Sequence, residues 1–168
     1  MPGQSPSWPP VSVAQRLIEH RSLINLLRKA GDDEEFQAPL ARYLVVRSAG
    51  LIEAVRDDVT DQHCSIVGSP RLHRRITAGL RTGLGATPSQ LISFLGTLDT
   101  DWRDQLDVFL AEDDSARSNN LGALVAARKK VAHGDGEQIS TGQALRWAET
   151  AQEVAKWLVC KFDPRGNN

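Results

Sequence analysis

Cysteine is scarce in this chain: Cys64 and Cys160 are the only two, and no CxxC spacing exists. That excludes a disulfide-stapled scaffold and a cysteine-rich zinc module, and two reduced thiols suit a cytoplasmic protein. Long hydrophobic runs are missing as well. No stretch approaches the about 18 apolar residues of a membrane-spanning helix, so no membrane association is expected. Charge of one sign is missing too: 20 Lys and Arg stand against 21 Asp and Glu, for a net charge of −1. No global field therefore attracts nucleic acid, and any RNA binding must come from a local patch. His20, His63 and His73 are isolated in sequence. No His, Cys, Asp and Glu cluster has metal-ligand spacing, so no metal is expected. The GLGATPSQ stretch lacks the lysine of a phosphate-binding loop, which argues against nucleotide hydrolysis. No cofactor is expected.

What is present is an ordinary globular balance over 168 residues, 40% hydrophobic and 24% charged, enough for one domain with a sizeable core. No β-branched alternating run is long enough for a strand, and nearly every segment has helical periodicity. The expected fold is all-α: a single-domain antiparallel helical bundle of about five to seven helices over residues 12–163. The Pro-, Ser- and Gly-rich start, MPGQSPSWPP, has no basic stretch followed by an apolar one and is no signal peptide. Residues 1–11 and 164–168 read as flexible tails, and Trp8 has no obvious partner.

The first helix should span Ser12 to Lys29, with Val13, Leu17, Ile24 and Leu27 on its apolar face. A second, from about Glu35 to about Val59, is apolar nearly all round and so belongs at the centre. Pro39 fits only a first turn, which puts the start nearer Ala38. On its wheel Arg42, Glu53 and Arg56 share a narrow polar strip, while Arg47 falls on the opposite, apolar side. Ser69-Pro70 and Thr87-Pro88 start a third and a fourth helix, separated by Gly83 and Gly85. The acidic segment Asp99 to Asp107, with Trp102 and Phe109, gives a short fifth piece, and a further helix starts at Asp114 or Ser115. Ser140 with Gln143 is a capping box for the last helix, which stops before Pro164.

The segment Arg128-Lys129-Lys130-Val131-Ala132-His133-Gly134 is the richest in chemistry. An always-charged guanidinium can hold a phosphate or stabilise its pentacoordinate charge. An imidazole can move the proton of a ribose 2′-hydroxyl or of a leaving 5′-oxygen. Arg128 falls inside the stripe of Leu121, Leu124, Val125, Val131 and Ala132. It must therefore be paired, or face a cleft or a second subunit. His133 lies about 140° further round if the helix stays regular. Either the last turn loosens before Gly134, or two copies of the helix interleave their groups across a dimer. The alternative without catalysis is Arg128 paired with an acid such as Glu53, and His133 merely on the surface. Glu53 either orients Arg128 or His133 or pairs with Arg56. Arg71, Arg74, Arg75 and Arg81 have no acid among them. With Lys130, they are either a track for an RNA backbone or a solvated helix face.

RKKVAHG, residues 128–134, resembles the motif that ends the main helix of the HEPN superfamily. That motif is an arginine, four to six variable residues, then histidine, commonly as RN-x-x-AHG. The following GEQIS and LARYLVVRSAGLIEAVR, residues 40–56, are similar to segments of its RiboL-PSP-HEPN group, as is WRDQLDVFL, residues 102–110. The resemblance spans roughly residues 20–163. It implies an all-α homodimer with facing Arg–His motifs, acting as a metal-independent endoribonuclease that leaves a 2′,3′-cyclic phosphate. Arg128 would then stabilise the phosphate and His133 act as acid or base. It also implies a toxin or phage-defence role, with a cognate antitoxin or defence-system protein as partner. Where the family usually has Asn, Asp or His after the arginine, this chain has Lys129, which cannot accept a hydrogen bond. That points to the alternative, a catalytically inactive module that binds RNA or a protein partner.

Overall fold

The computed structural model describes residues 7–30, 34–80, 85–134 and 138–166. Among them are six helices and no strand: α1 (Val11–Lys29), α2 (Glu34–Val67), α3 (Pro70–Leu80), α4 (Pro88–Leu98), α5 (Thr100–Ala132) and α6 (Thr141–Lys161). The all-α expectation holds. Gly83 and Arg81 lie outside the described residues.

The local signals act where the sequence places them. Thr87 caps α4 and Ser140 caps α6, each through a reciprocal bond with a glutamine three residues on. Asp99 accepts from the backbone N–H groups of Asp101 and Trp102 and so starts α5. Pro39, however, does not mark a helix start: α2 begins at Glu34 and carries the proline inside. The same helix runs two turns beyond Val59, because Val59, Thr60 and Cys64 remain buried against neighbours.

The 34 residues of α2 make it the longest helix, about 50 Å by its rise, and it packs against α1, α3, α5 and α6. Ser12 bonds to Asp58 while His20 meets Ser48, so α1 runs antiparallel to α2. Gln105 bonds to Lys161 and Asn120 to Thr150, so α5 runs antiparallel to α6. The pair α2 and α6 differs. Gln37 meets Thr141 and His63 meets Phe162, so these two run parallel, joined only through the excursion of α3 to α5. Leu44, Ile52, Leu91, Leu106, Leu121, Leu124 and Leu158 fill the core.

Helix α5 is interrupted at residues 112–115, where Asp113, Asp114 and Ser115 all have positive φ. This separates a first piece from the motif-bearing helix, as the sequence suggested. Arg117 clamps the break. It bonds to Glu112, to the Phe109 carbonyl and to Glu153 of α6, and its guanidinium lies 4.5 Å from the Phe109 ring centroid. Trp8, without an obvious partner in the sequence, donates to the Val159 carbonyl and packs against the core.

Candidate functional site

The motif helix buries Leu121, Leu124, Val125 and Ala127. Arg128 follows at the edge of that stripe, about a third exposed, and donates to Glu53 of α2 at 2.6 Å. Pairing of this arginine is what its place in an apolar stripe demanded. Glu53 pairs with Arg128 and not with Arg56, and with His133 on the surface this is the arrangement of the alternative without catalysis. Ala132, expected on the buried stripe, is exposed, because the packing ends one turn earlier.

His133 caps α5 with an exposed side chain, and its backbone N–H bonds to the carbonyls of Lys129 and Lys130. Gly134 then takes a φ of +75°, which ends the helix. The helix stays regular through Ala132, so no loosened last turn swings His133 toward Arg128. About 140° of rotation separates the two within one chain. Lys129 and Lys130 are exposed beside them.

Arg128 opens onto a cleft of about 230 Å³ between α1, α2 and α5. Arg16, Arg47, Val46, Gly50 and Leu51 line it with Arg128, and His20 forms part of its floor. The sequence singled out neither Arg16 nor His20 for a site. The one signal was Arg47, a charge on the apolar side of the α2 wheel. Arg47 is exposed there and sits 3.9 Å from Glu19 of α1. The opposite strip also diverges. Arg42 is exposed, Glu53 is half-buried against Arg128, and Arg56 is buried with only 2% exposed. Arg56 bonds to Asp57 and to the Gly85 carbonyl and lies over the Phe94 ring. One face of a helix this long meets solvent, then α5, then the start of α4, so one wheel position has three environments. Asp57 has its pKa raised by burial, an effect that the Arg56 hydrogen bond opposes.

His20 is 3% exposed and fully bonded. Ser48 Oγ–H donates to the Leu44 carbonyl, so His20 Nε2–H donates to Ser48 Oγ at 2.8 Å, and Gln152 Nε2 donates to His20 Nδ1 at 3.1 Å. Burial, helped by the charge of Arg47, lowers its pKa to about 4, so the ring is neutral at physiological pH. His63 donates from Nδ1 to the Phe162 carbonyl and sits edge-on to Trp102 and Phe162. His73 bonds to Asp61.

On α3, Arg71, Arg74 and Arg75 are exposed within about 100° of one another. Fourteen residues of α2 separate Glu53 from the end of that helix, about 20 Å, so this basic face is distinct from the Arg128 cleft. Among the described residues, no three His, Cys, Asp or Glu side chains converge as a metal-ligand set. No helix among them is long and apolar enough to cross a membrane. Comparison of the chain with models of known protein families, with curated proteins and with solved structures finds no match in any of the three.

Proposed function

We propose that this chain is a HEPN-like, metal-independent endoribonuclease whose site is completed across a homodimer. The observation behind this reading is the split within one copy. Arg128 is oriented by Glu53 toward an open cleft, while His133 is exposed on another side of the same helix. Each copy thus offers two half-sites, and a two-fold axis can bring the arginine of one to the histidine of the other. In such a site the 2′-oxygen of the RNA bonds to the neighbouring phosphorus as its proton leaves, and the phosphorus–O5′ bond breaks. His133 moves that proton, and Arg128 balances the charge that builds on the phosphate. The products are a 2′,3′-cyclic phosphate and a 5′-hydroxyl. A toxin or phage-defence role, with an antitoxin or defence-system protein as partner, belongs to the same reading.

The second reading is a catalytically inactive module that binds RNA or a protein partner. Lys129 and the closed Arg128–Glu53 pair favour it, and the exposed Arg71, Arg74, Arg75 face of α3 supplies a backbone-tracking surface, separate from Lys130 on α5.

The test is cleavage of a structured RNA in EDTA by the wild type, Arg128→Ala and His133→Ala. Wild type alone should cleave, and mixing the two inactive variants should restore about a quarter of the activity, since half of the mixed dimers would be heterodimers with one intact site of two. Equal cleavage by all three proteins, or none by the wild type, refutes the nuclease and leaves the binding module.

A further inference from the structure

Three arginines from three helices, Arg16 of α1, Arg47 of α2 and Arg128 of α5, line one cleft, and among the described residues no carboxylate is part of its lining. Each guanidinium also meets an acid: Arg16 meets Asp58, Arg47 meets Glu19 and Arg128 meets Glu53. Two of the three pairs are loose: Arg16 Nε lies 3.6 Å from Asp58, and Arg47 lies 3.9 Å from Glu19. Exposed pairs of this kind contribute little, so both arginines can turn to a more highly charged ligand. Arg128 stays fixed by Glu53 at 2.6 Å and serves as a rigid wall. The floor adds no charge, because both ring nitrogens of His20 are committed to Ser48 and Gln152.

Space is provided by Gly50. A Cβ built there meets nothing within 4 Å, so the cleft reaches the α2 backbone. Val46 and Leu51 give it an apolar lining. At about 230 Å³ the cleft is below the roughly 300–1,000 Å³ of drug-sized pockets. It suits a compact anion with a small attached group.

We propose that this cleft is a binding site for the phosphate group of a nucleotide, with Arg16 and Arg47 as its ligands beside Arg128. Guanidinium forks match phosphate oxygens in pairs, which a lysine cluster cannot do. The phosphate comes from an RNA backbone or from a free nucleotide. The site does not depend on RNA cleavage, and His133 is no part of it.

The test is calorimetric titration of the full chain, in EDTA and low salt, with inorganic phosphate, uridine monophosphate and a five-residue oligouridylate. Wild type, Arg16→Gln/Arg47→Gln, Gly50→Leu and Gly50→Ala are compared, with thermal melts to confirm folding. The double arginine variant should weaken binding at least about tenfold, as loss of charge-assisted bonds implies. Gly50→Leu should block the cleft, and Gly50→Ala, whose single methyl fills less of it, should weaken binding less than Gly50→Leu. Tighter binding of the oligonucleotide assigns the phosphate to RNA, and tighter binding of the monophosphate assigns it to a free nucleotide. Failure of the wild type to bind any probe, or equal binding by the arginine and Gly50→Leu variants, overturns the site. Binding without any RNA cleavage removes the nuclease and keeps the cleft.

Discussion

Acid should destabilise this protein through one buried ring. His20 holds its pKa at about 4 in the folded chain, against 6.5 for an ordinary histidine. The cause is burial first and the charge of Arg47 second. A proton on Nδ1 would face the amide NH2 of Gln152, which already donates to that nitrogen. Rotating the amide would present Gln152 Oε1, a buried oxygen without a partner, but would give up the bond to the Leu17 carbonyl. The folded state therefore refuses a proton that the unfolded chain accepts below pH 6.5. Stability is full above that pH, falls as pH drops from about 6.5 to about 4, and levels off below. At about 1.4 kcal/mol per unit, the loss is about 3 kcal/mol, a large part of the about 5–15 kcal/mol that holds a domain together. Urea denaturation at pH 7.5, 6, 5 and 4.5, for the wild type and His20→Gln, measures it. Asp57, whose raised pKa acts in the opposite sense, and every other titrating group are common to both proteins, so the difference between the two profiles isolates His20. Parallel profiles, or a His20 ring that titrates near 6.5 by NMR, would refute the reasoning.

Arg56→Ala should cost about 3 kcal/mol, because it removes a buried guanidinium that bonds to Asp57 and the Gly85 carbonyl and covers Phe94. Arg56→Lys should recover little in the same chemical denaturation, since an ammonium cannot make the forked contact. Gly50→Ala should raise stability by about 0.5–1 kcal/mol, read as a higher Tm, because a mid-helix glycine is replaced where the new methyl meets nothing. Ser140→Ala should cost about 1 kcal/mol in the same melt by removing the cap of α6. A value near zero would mean that α6 is started by packing alone.

Most of the helical plan was legible because its signals are local. Serine, threonine and aspartate at Ser140, Thr87 and Asp99 accept from backbone N–H groups two or three residues on, and those bonds form wherever the chain later packs. The break in α5 was visible as the start of a separate helix at Asp114 or Ser115. The placement of Arg128 was legible in part: a charge in an apolar stripe must find a partner, and Glu53 was one of the acids at hand.

The cleft was not legible. Arg16 and His20 sit on α1, Arg47 on α2 and Arg128 on α5, far apart in sequence, and no spacing rule links them. Sequence periodicity determines which way a side chain points from its own helix. It does not determine which helix stands opposite. That was decided by the parallel packing of α2 against α6, which sets α1 and α5 beside α2 and brings their arginines to one opening. The same packing buries Arg56 while leaving Arg42 exposed on the same face, because burial is a property of the neighbour and not of the wheel.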